Sequence, residues 1–331
     1  MTTCLVLGAT GFIGGQIVRS ALARGWQVRA LRRDPKSVGA IGDLKPDWFV
    51  GNLDDRSSLL EAMRGCDVVF HAAAAYPHAA HGIDQRVQSA VAQMQNVLSA
   101  AQAAKIARLI YTSSFTTIGS SSEPNRFADE RDQYQPGSAH DAYYESKWAM
   151  EVAALNAAQA GLPVIAVCPA AVFGPGDVHL SVSEIVVMTA KGKMPFYLDA
   201  TFGAIDVRDV AEAHLNAVER GKIGERYILS AHNITLKEGL TLVAQAANQK
   251  PPSIKIGRRL LKVIIAVGQW LPGGSTPAVE HAVRTVGHLR TMRFWQPLNN
   301  AKAINELGLT LRPIDQTLND ALVWFKANHY L

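Results

Sequence analysis

"CLVLGATGFIGGQIV" (residues 4–18) joins a short apolar run to a segment of helical spacing through a turn built from glycines. The run from Cys4 reads as a strand and the segment from Phe12 as a helix. Gly8, Gly11 and Gly14 stand between them and at the helix start. Glycines at such a junction let the backbone turn tightly and come close to a phosphate, whose charge meets the amides of the first helical turn. A glycine trio alone is a weak signal, and its meaning depends on the rest of the chain. "QVRAL" (27–31), "WFVG" (48–51), "DVVFHAA" (67–73), "RLIYTSS" (108–114) and "PVIAVCP" (163–169) read as further strands. Helical segments fall at 12–24, 56–64, 83–104 and 142–160. This alternation predicts an α/β fold, a Rossmann-type doubly wound parallel sheet. In that setting the turn becomes a dinucleotide site with Gly8, Thr10, Gly11, Phe12, Ile13 and Gly14 as its contacts.

Beyond residue 175 strands thin out in the sequence pattern. Helices are expected near 180–192, 207–220, 235–248, 258–271 and 314–328. The chain therefore divides into a nucleotide-binding domain, 1–175, and a smaller, mostly helical substrate lobe, 176–331, some of whose elements return to the first domain. With 331 residues, 48% hydrophobic and 18% charged, the chain has the composition of a globular protein. A net charge of +5 without basic blocks argues against nucleic acid. "LLKVIIAVGQWL" (260–271) is too short to span a bilayer, so no stable membrane insertion is expected. The opening residues lack a secretion signal, and Cys4, Cys66 and Cys168 follow neither metal nor disulfide spacing. These features predict a cytoplasmic protein with reduced thiols. The histidines of "YPHAAH" (76–81) have no acidic or cysteine partner nearby, and no metal is expected.

Three places carry the chemistry. After the second strand, where NAD-binding chains place an acid against the ribose 2′-hydroxyl, stand Arg32 and Arg33, which suit a 2′-phosphate. NADP(H) is therefore favoured, with NAD(H) as the alternative. In "DAYYESKWAM" (141–150), Tyr143 and Lys147 lie four apart on one helical face. A free tyrosine ionises near pKa ~10, and a neighbouring ammonium brings that value down toward use at neutral pH. Ser114 closes the fifth strand, where an open α/β sheet presents its ligand crevice.

"GATGFIG", "HAAA" (71–74), "YTSS" (111–114), Tyr143-x-x-x-Lys147 and "CPAAVFGPGD" (168–177) occur in the order of the extended short-chain dehydrogenase/reductases. The chain resembles that family over its whole length, in particular its dihydroflavonol-4-reductase-like branch and the bacterial hopanoid-associated sugar epimerases. The resemblance implies Ser114 as the hydroxyl that polarises a carbonyl, Tyr143 as general acid/base and Lys147 as its tuner, with Ser113 behind. Motif spacing selects Tyr143 over Tyr144. It further implies Asn52 and Leu53 beside the adenine, Ala72 and Ala73 along the pyrophosphate–ribose path, and Pro169, Ala171 and Val172 beside the nicotinamide. Tyr76 and His78 are candidate pocket walls. Phe196 and Tyr197, in "MPFYLDATFGAID" (194–206), belong to a candidate substrate lid or to ordinary lobe packing. A homodimer through the helices at 83–104 and 142–160 is expected. The implied activity is NADP(H)-dependent reduction of a small-molecule ketone or aldehyde to an alcohol. The alternative is an NAD-dependent nucleotide-sugar epimerase or dehydratase, against which Cys168 stands near the place where such enzymes commonly carry asparagine. A binding protein that has lost the chemistry is a third reading, opposed by the presence of both Tyr143 and Lys147.

Overall fold

The computed structural model describes residues 1–73, 82–257 and 294–331. In chain order its elements begin β1 (Thr3–Leu7), α1 (Phe12–Ala23), β2 (Gln27–Arg32), β3 (Asp47–Val50), α2 (Arg56–Met63), β4 (Val68–His71) and α3 (Ile83–Ala104). Next come β5 (Arg108–Thr112), α4 (Ala142–Gln159), β6 (Val164–Pro169), β7 (Ala171–Phe173), α5 (Glu184–Ala190), β8 (Phe196–Leu198), β9 (Thr201–Asp206) and α6 (Val207–Arg220). The remainder is β10 (Arg226–Leu229), β11 (His232–Thr235), α7 (Leu236–Ala246), β12 (Ile254–Ile256) and a C-terminal helix, α8 (Ile314–Ala327).

Seven strands form one parallel sheet in the order β10-β6-β5-β4-β1-β2-β3. Strand alternation supplies both of its cores. Cys4 and Val6 of β1 face one side, with Ile17 of α1 and Val210 of α6. Leu5 and Leu7 face the other, with Leu59, Met94 and Val97 from α2 and α3. A fully buried Leu or Val contributes roughly 1.5–3 kcal/mol. A one-residue slip would exchange the two sets of side chains, so burial on both faces fixes the register. Alanines pack α3 and α4 closely over the second face, among them Ala100, Ala101, Ala154 and Ala158.

Past residue 175 the chain holds more sheet than its pattern suggests. Five strands, β8 to β12, lie there among the described residues. One of them, β10, pairs with β6 and completes the large sheet. Each is three to six residues long, too short for alternation to stand out from the helical segments around it. The sheet β11-β9-β7 carries a third core, formed by Phe202, Leu236, Leu240, Leu318 and Phe325 with α5, α7 and α8. Residues 194–206 consequently do not form one lid. Thr201–Asp206 is a strand held between β7 and β11, with Phe202, Ala204 and Ile205 buried, while Phe196 and Tyr197 lie on β8, paired with β12. Tyr76, His78 and the helix expected at 258–271 lie outside the described residues. All three cysteines are buried and free. No described helix is long and apolar enough to cross a membrane.

Candidate active site

The glycine turn closes against the end of β4. Gly8 sits at φ 85°, in the left-handed region that favours glycine. A Cβ there would lie 2.7 Å from the Ala73 nitrogen and 2.9 Å from the Ala72 carbonyl carbon. On Gly14 a Cβ would run into the Gly8 carbonyl oxygen. The Gly11 amide donates to that carbonyl at 2.9 Å and Gly11 caps α1. No side chain caps this helix and no acid occupies its first turn, so its amides and dipole are left for an anion. The turn also lies where the strand order reverses, β1 leading outward to β2 and β3 while β4 leads the other way. A pyrophosphate fits this cradle by backbone shape and by charge.

Around the adenosine end, the Arg32 guanidinium lies 4.5 Å above the Trp48 ring, and its Nη1 donates to the Ser37 carbonyl at 3.4 Å. Its Nε is buried without an acceptor among the described residues. Arg33 is exposed. Asn52 is exposed as well, and its Oδ1 accepts from the Asp54 amide at 3.3 Å. Leu53 packs half-buried against the second-face core, and Ala72 and Ala73 are half-buried at the end of β4.

Helix α4 supplies the reactive side chains. Its N-cap, Asp141, accepts from the Tyr143 amide at 2.9 Å and the Tyr144 amide at 3.3 Å, satisfying two of the donors that a helix start leaves open. Tyr143 is half-buried and Lys147 buried. The Lys147 Nζ donates to the Thr112 carbonyl at 2.9 Å and lies 6.0 Å from the Tyr143 ring centroid and 5.5 Å from that of Tyr111. Burial depresses its pKa to about 8, against a smaller opposing pull from Glu151. The buried ring of Tyr144 lies among aromatic neighbours instead, 5.8 Å from Tyr134 and 5.5 Å from Phe294. Ser114 follows β5 and opens a short turn over Phe115–Thr117, where its Oγ accepts from the Thr116 amide at 3.2 Å. Among the described residues the hydroxyl proton has no acceptor, which leaves it for a ligand. Ser113, also buried, anchors its amide on the Val167 carbonyl at 2.8 Å. Pro169, Ala171 and Val172 form a buried wall along β6 and β7.

Tyr143, Lys147, Ser114 and the glycine turn thus all lie toward the C-terminal edge of the sheet. Tyr197 is engaged elsewhere, 5.2 Å beneath the Lys237 ammonium. A cavity of about 390 Å³ lined by Thr3, Trp26, Gln27 and Asp47 opens at the opposite strand ends and takes no part in this arrangement. Sequence reasoning missed Glu151 and Arg226, two buried charges beside the same helix face. For Glu151 the signal is present, since it continues the four-residue spacing of Tyr143 and Lys147. Arg226 gives none, because a charge at a strand start reads as solvent-facing.

A glycine cradle at the switch point of a doubly wound sheet, with a tyrosine–lysine face beside it, defines a nucleotide-cofactor enzyme. The chain belongs to the NAD-dependent epimerase/dehydratase family, the extended short-chain dehydrogenase/reductases, whose family model matches residues 4–230. It is 35% identical to a Synechocystis sp. protein provisionally named dihydroflavonol 4-reductase, over 100% of this chain and 97% of that one. It is 30% identical to the 4-hydroxy-2-methyl-3-oxo-4-farnesyl-3,4-dihydroquinoline-1-oxide ketoreductase of Stigmatella aurantiaca, over 96% of this chain and 94% of that one. Among solved structures, a Pseudomonas aeruginosa protein described as a nucleoside-diphosphate-sugar epimerase superposes with a TM-score of 0.81 at 27% identity, over 100% of this chain and 99% of that one.

Proposed function

We propose that the protein reduces a ketone or aldehyde to an alcohol with NADP(H). The observation that carries this reading is the placement of Tyr143 and Lys147 on one face of α4, beside Ser114 and at the same sheet edge as the glycine turn. Reductase names among relatives that match nearly full length support it. The nicotinamide cofactor supplies the hydride. Ser114 donates its free hydroxyl proton in a hydrogen bond to the carbonyl oxygen and so polarises it. Tyr143 passes its phenolic proton to that oxygen as negative charge grows there. With a pKa of about 8, Lys147 stays largely cationic at neutral pH and favours the phenolate that Tyr143 becomes. Arg32, held over Trp48, would pair with a 2′-phosphate, and the exposed Arg33 follows it.

The test pairs a ketone and aldehyde panel with fluorescence titration of NADPH and NADH. Tyr143→Phe is expected to abolish turnover and keep NADPH affinity; full activity in that variant would sink the assignment. The Arg32/Arg33 double alanine variant is expected to lose a preference for NADPH over NADH. The epimerase reading draws on the family description and the Pseudomonas structure. Tightly held NAD that copurifies with the protein would favour it over the reductase.

A further inference from the structure

Behind the tyrosine–lysine face lies a second layer of charge that the proposed reaction does not touch. Glu151, one turn past Lys147 on α4, is 1% exposed, and Arg226 at the start of β10 is 7% exposed. The Arg226 Nη2 donates to the Thr117 carbonyl and to the Thr117 Oγ1, each at 2.9 Å. Both hydrogens of that nitrogen are therefore spent, and it faces the Glu151 Oε1 at 2.9 Å as a charge contact. The Thr117 hydroxyl lies 2.9 Å from the Glu151 Oε2 and 2.8 Å from the Ser114 carbonyl oxygen, and the Cys168 thiol donates to Oε2 at 3.4 Å. The cluster joins four elements: the turn that begins with Ser114, the helix of Tyr143 and Lys147, β6 through Cys168, and a strand contributed by the chain beyond residue 175.

We infer that Glu151 and Arg226 are positioning residues that lock the Ser114 turn onto α4 and balance the charge around Lys147. This rests on the reading that Lys147 acts with Tyr143. A buried carboxylate one turn away favours the charged lysine, and a buried guanidinium opposes it. The two act on Lys147 in opposite directions; removing either partner leaves the other uncompensated. Lys147 is faced by Tyr143 and Glu151 from its own helix, Tyr111 from β5, His71 from β4, Cys168 from β6, and Arg226 across Glu151 from β10. Of these, burial holds the Cys168 thiol protonated and His71 neutral at pH 7, so the mobile balance lies with the ion pair.

The test is the titration of Lys147 in full-length protein labelled with [6-13C]lysine, its resonance identified by its loss in Lys147→Arg. Glu151→Gln is expected to weaken proton binding at Lys147 about tenfold and Arg226→Met to strengthen it about tenfold. The Glu151→Gln/Arg226→Met double variant, which buries no charge from the pair, is expected to return to within about threefold of wild type. Opposite shifts that cancel are something a packing defect does not produce. Unmoved midpoints, or single variants that shift in the same direction, would overturn the inference. If Glu151→Gln does not fold, Arg226→Met and the double variant decide it, since a fall or no change in Arg226→Met overturns it equally. None of these readings needs turnover. Failure here leaves the Ser114–Tyr143–Lys147 proposal standing, and an active Tyr143→Phe would remove that proposal without altering the titration.

Discussion

The glycine turn after β1 and the inner face of α4 share one edge of the sheet and are built from opposite materials. The turn is backbone, with Gly8 closed against Ala72 and Ala73 and Gly14 against Gly8. The helix face is side chain, with Tyr143, Lys147 and Glu151 in successive turns over a mostly buried bed. A site made of backbone breaks by collision, at any pH. A site made of ionisable side chains breaks by charge, and its failures follow pH. The two halves should therefore separate under substitution.

The largest effect is expected at Gly14. Gly14→Val drives its Cβ into the Gly8 carbonyl, with backbone on both sides and no flexible side chain to yield. A loss of about 3 kcal/mol in urea unfolding is expected, with NADPH binding abolished in fluorescence titration. Gly65 is the control. It shares the left-handed backbone of Gly8, at φ 75°, and among the described residues nothing lies within 4 Å of an added Cβ. Gly65→Ala should cost about 1–2 kcal/mol and leave binding intact. Equal binding by the two variants would break the steric account of the turn.

Next in size is Lys147→Met, which keeps length and removes charge. Turnover should fall about 10²-fold or more. Stability should hold or rise, because at pH 7 the folded state carries a lysine whose charge burial disfavours. A stability loss that matches the activity loss would mean that Lys147 is chiefly structural.

A smaller, pH-dependent effect sharpens the contrast. Burial lowers the pKa of His71 to about 3 and that of His214 to about 4. Both stay neutral in the folded state while the unfolded chain protonates them below its ordinary value near ~6.5. The unfolded state then binds more protons, so this stability is complete above that value and is lost as pH falls toward the folded values. From pH 7 to pH 6 the loss should be about 1.4 kcal/mol for the pair by the same linkage, and His71→Leu should roughly halve it. A slope unchanged in His71→Leu would show that His71 is not buried neutral.

How far these halves could be read in advance differs in the same way. The turn was legible because glycine has few reasons to recur at that spacing, and the strand–helix alternation around it is long. Tyr143 and Lys147 were legible as a pair, but the choice against Tyr144 gains its physical reason only from the aromatic neighbours of Tyr144, which come from Tyr134 and from the distant Phe294. The strands past residue 175 escaped because their identity depends on partners: β9 is a strand through pairing with β7 and β11. Arg226 is the sharpest case. Its burial depends on Glu151, seventy-five positions earlier, and on Thr117. A charged residue is dry only when its partner is, and the pairing is a property of the fold.

The smallest effect expected lies at the hinge between backbone and side-chain construction. Asp141 caps α4 through the amides of Tyr143 and Tyr144, so its carboxylate holds the backbone from which the candidate acid projects. Asp141→Ala should cost about 1 kcal/mol in urea unfolding, the ordinary effect of a lost cap. If the cap also aims Tyr143, turnover should fall several-fold while NADPH affinity stays, and Asp141→Asn, which keeps the accepting oxygen, should recover most of both. A stability loss with unchanged turnover would mean that Lys147 and the packing of α4 on α3 orient the tyrosine by themselves. The α4 face would then owe nothing to the backbone at its own start, and the division between the two halves of the site would be complete.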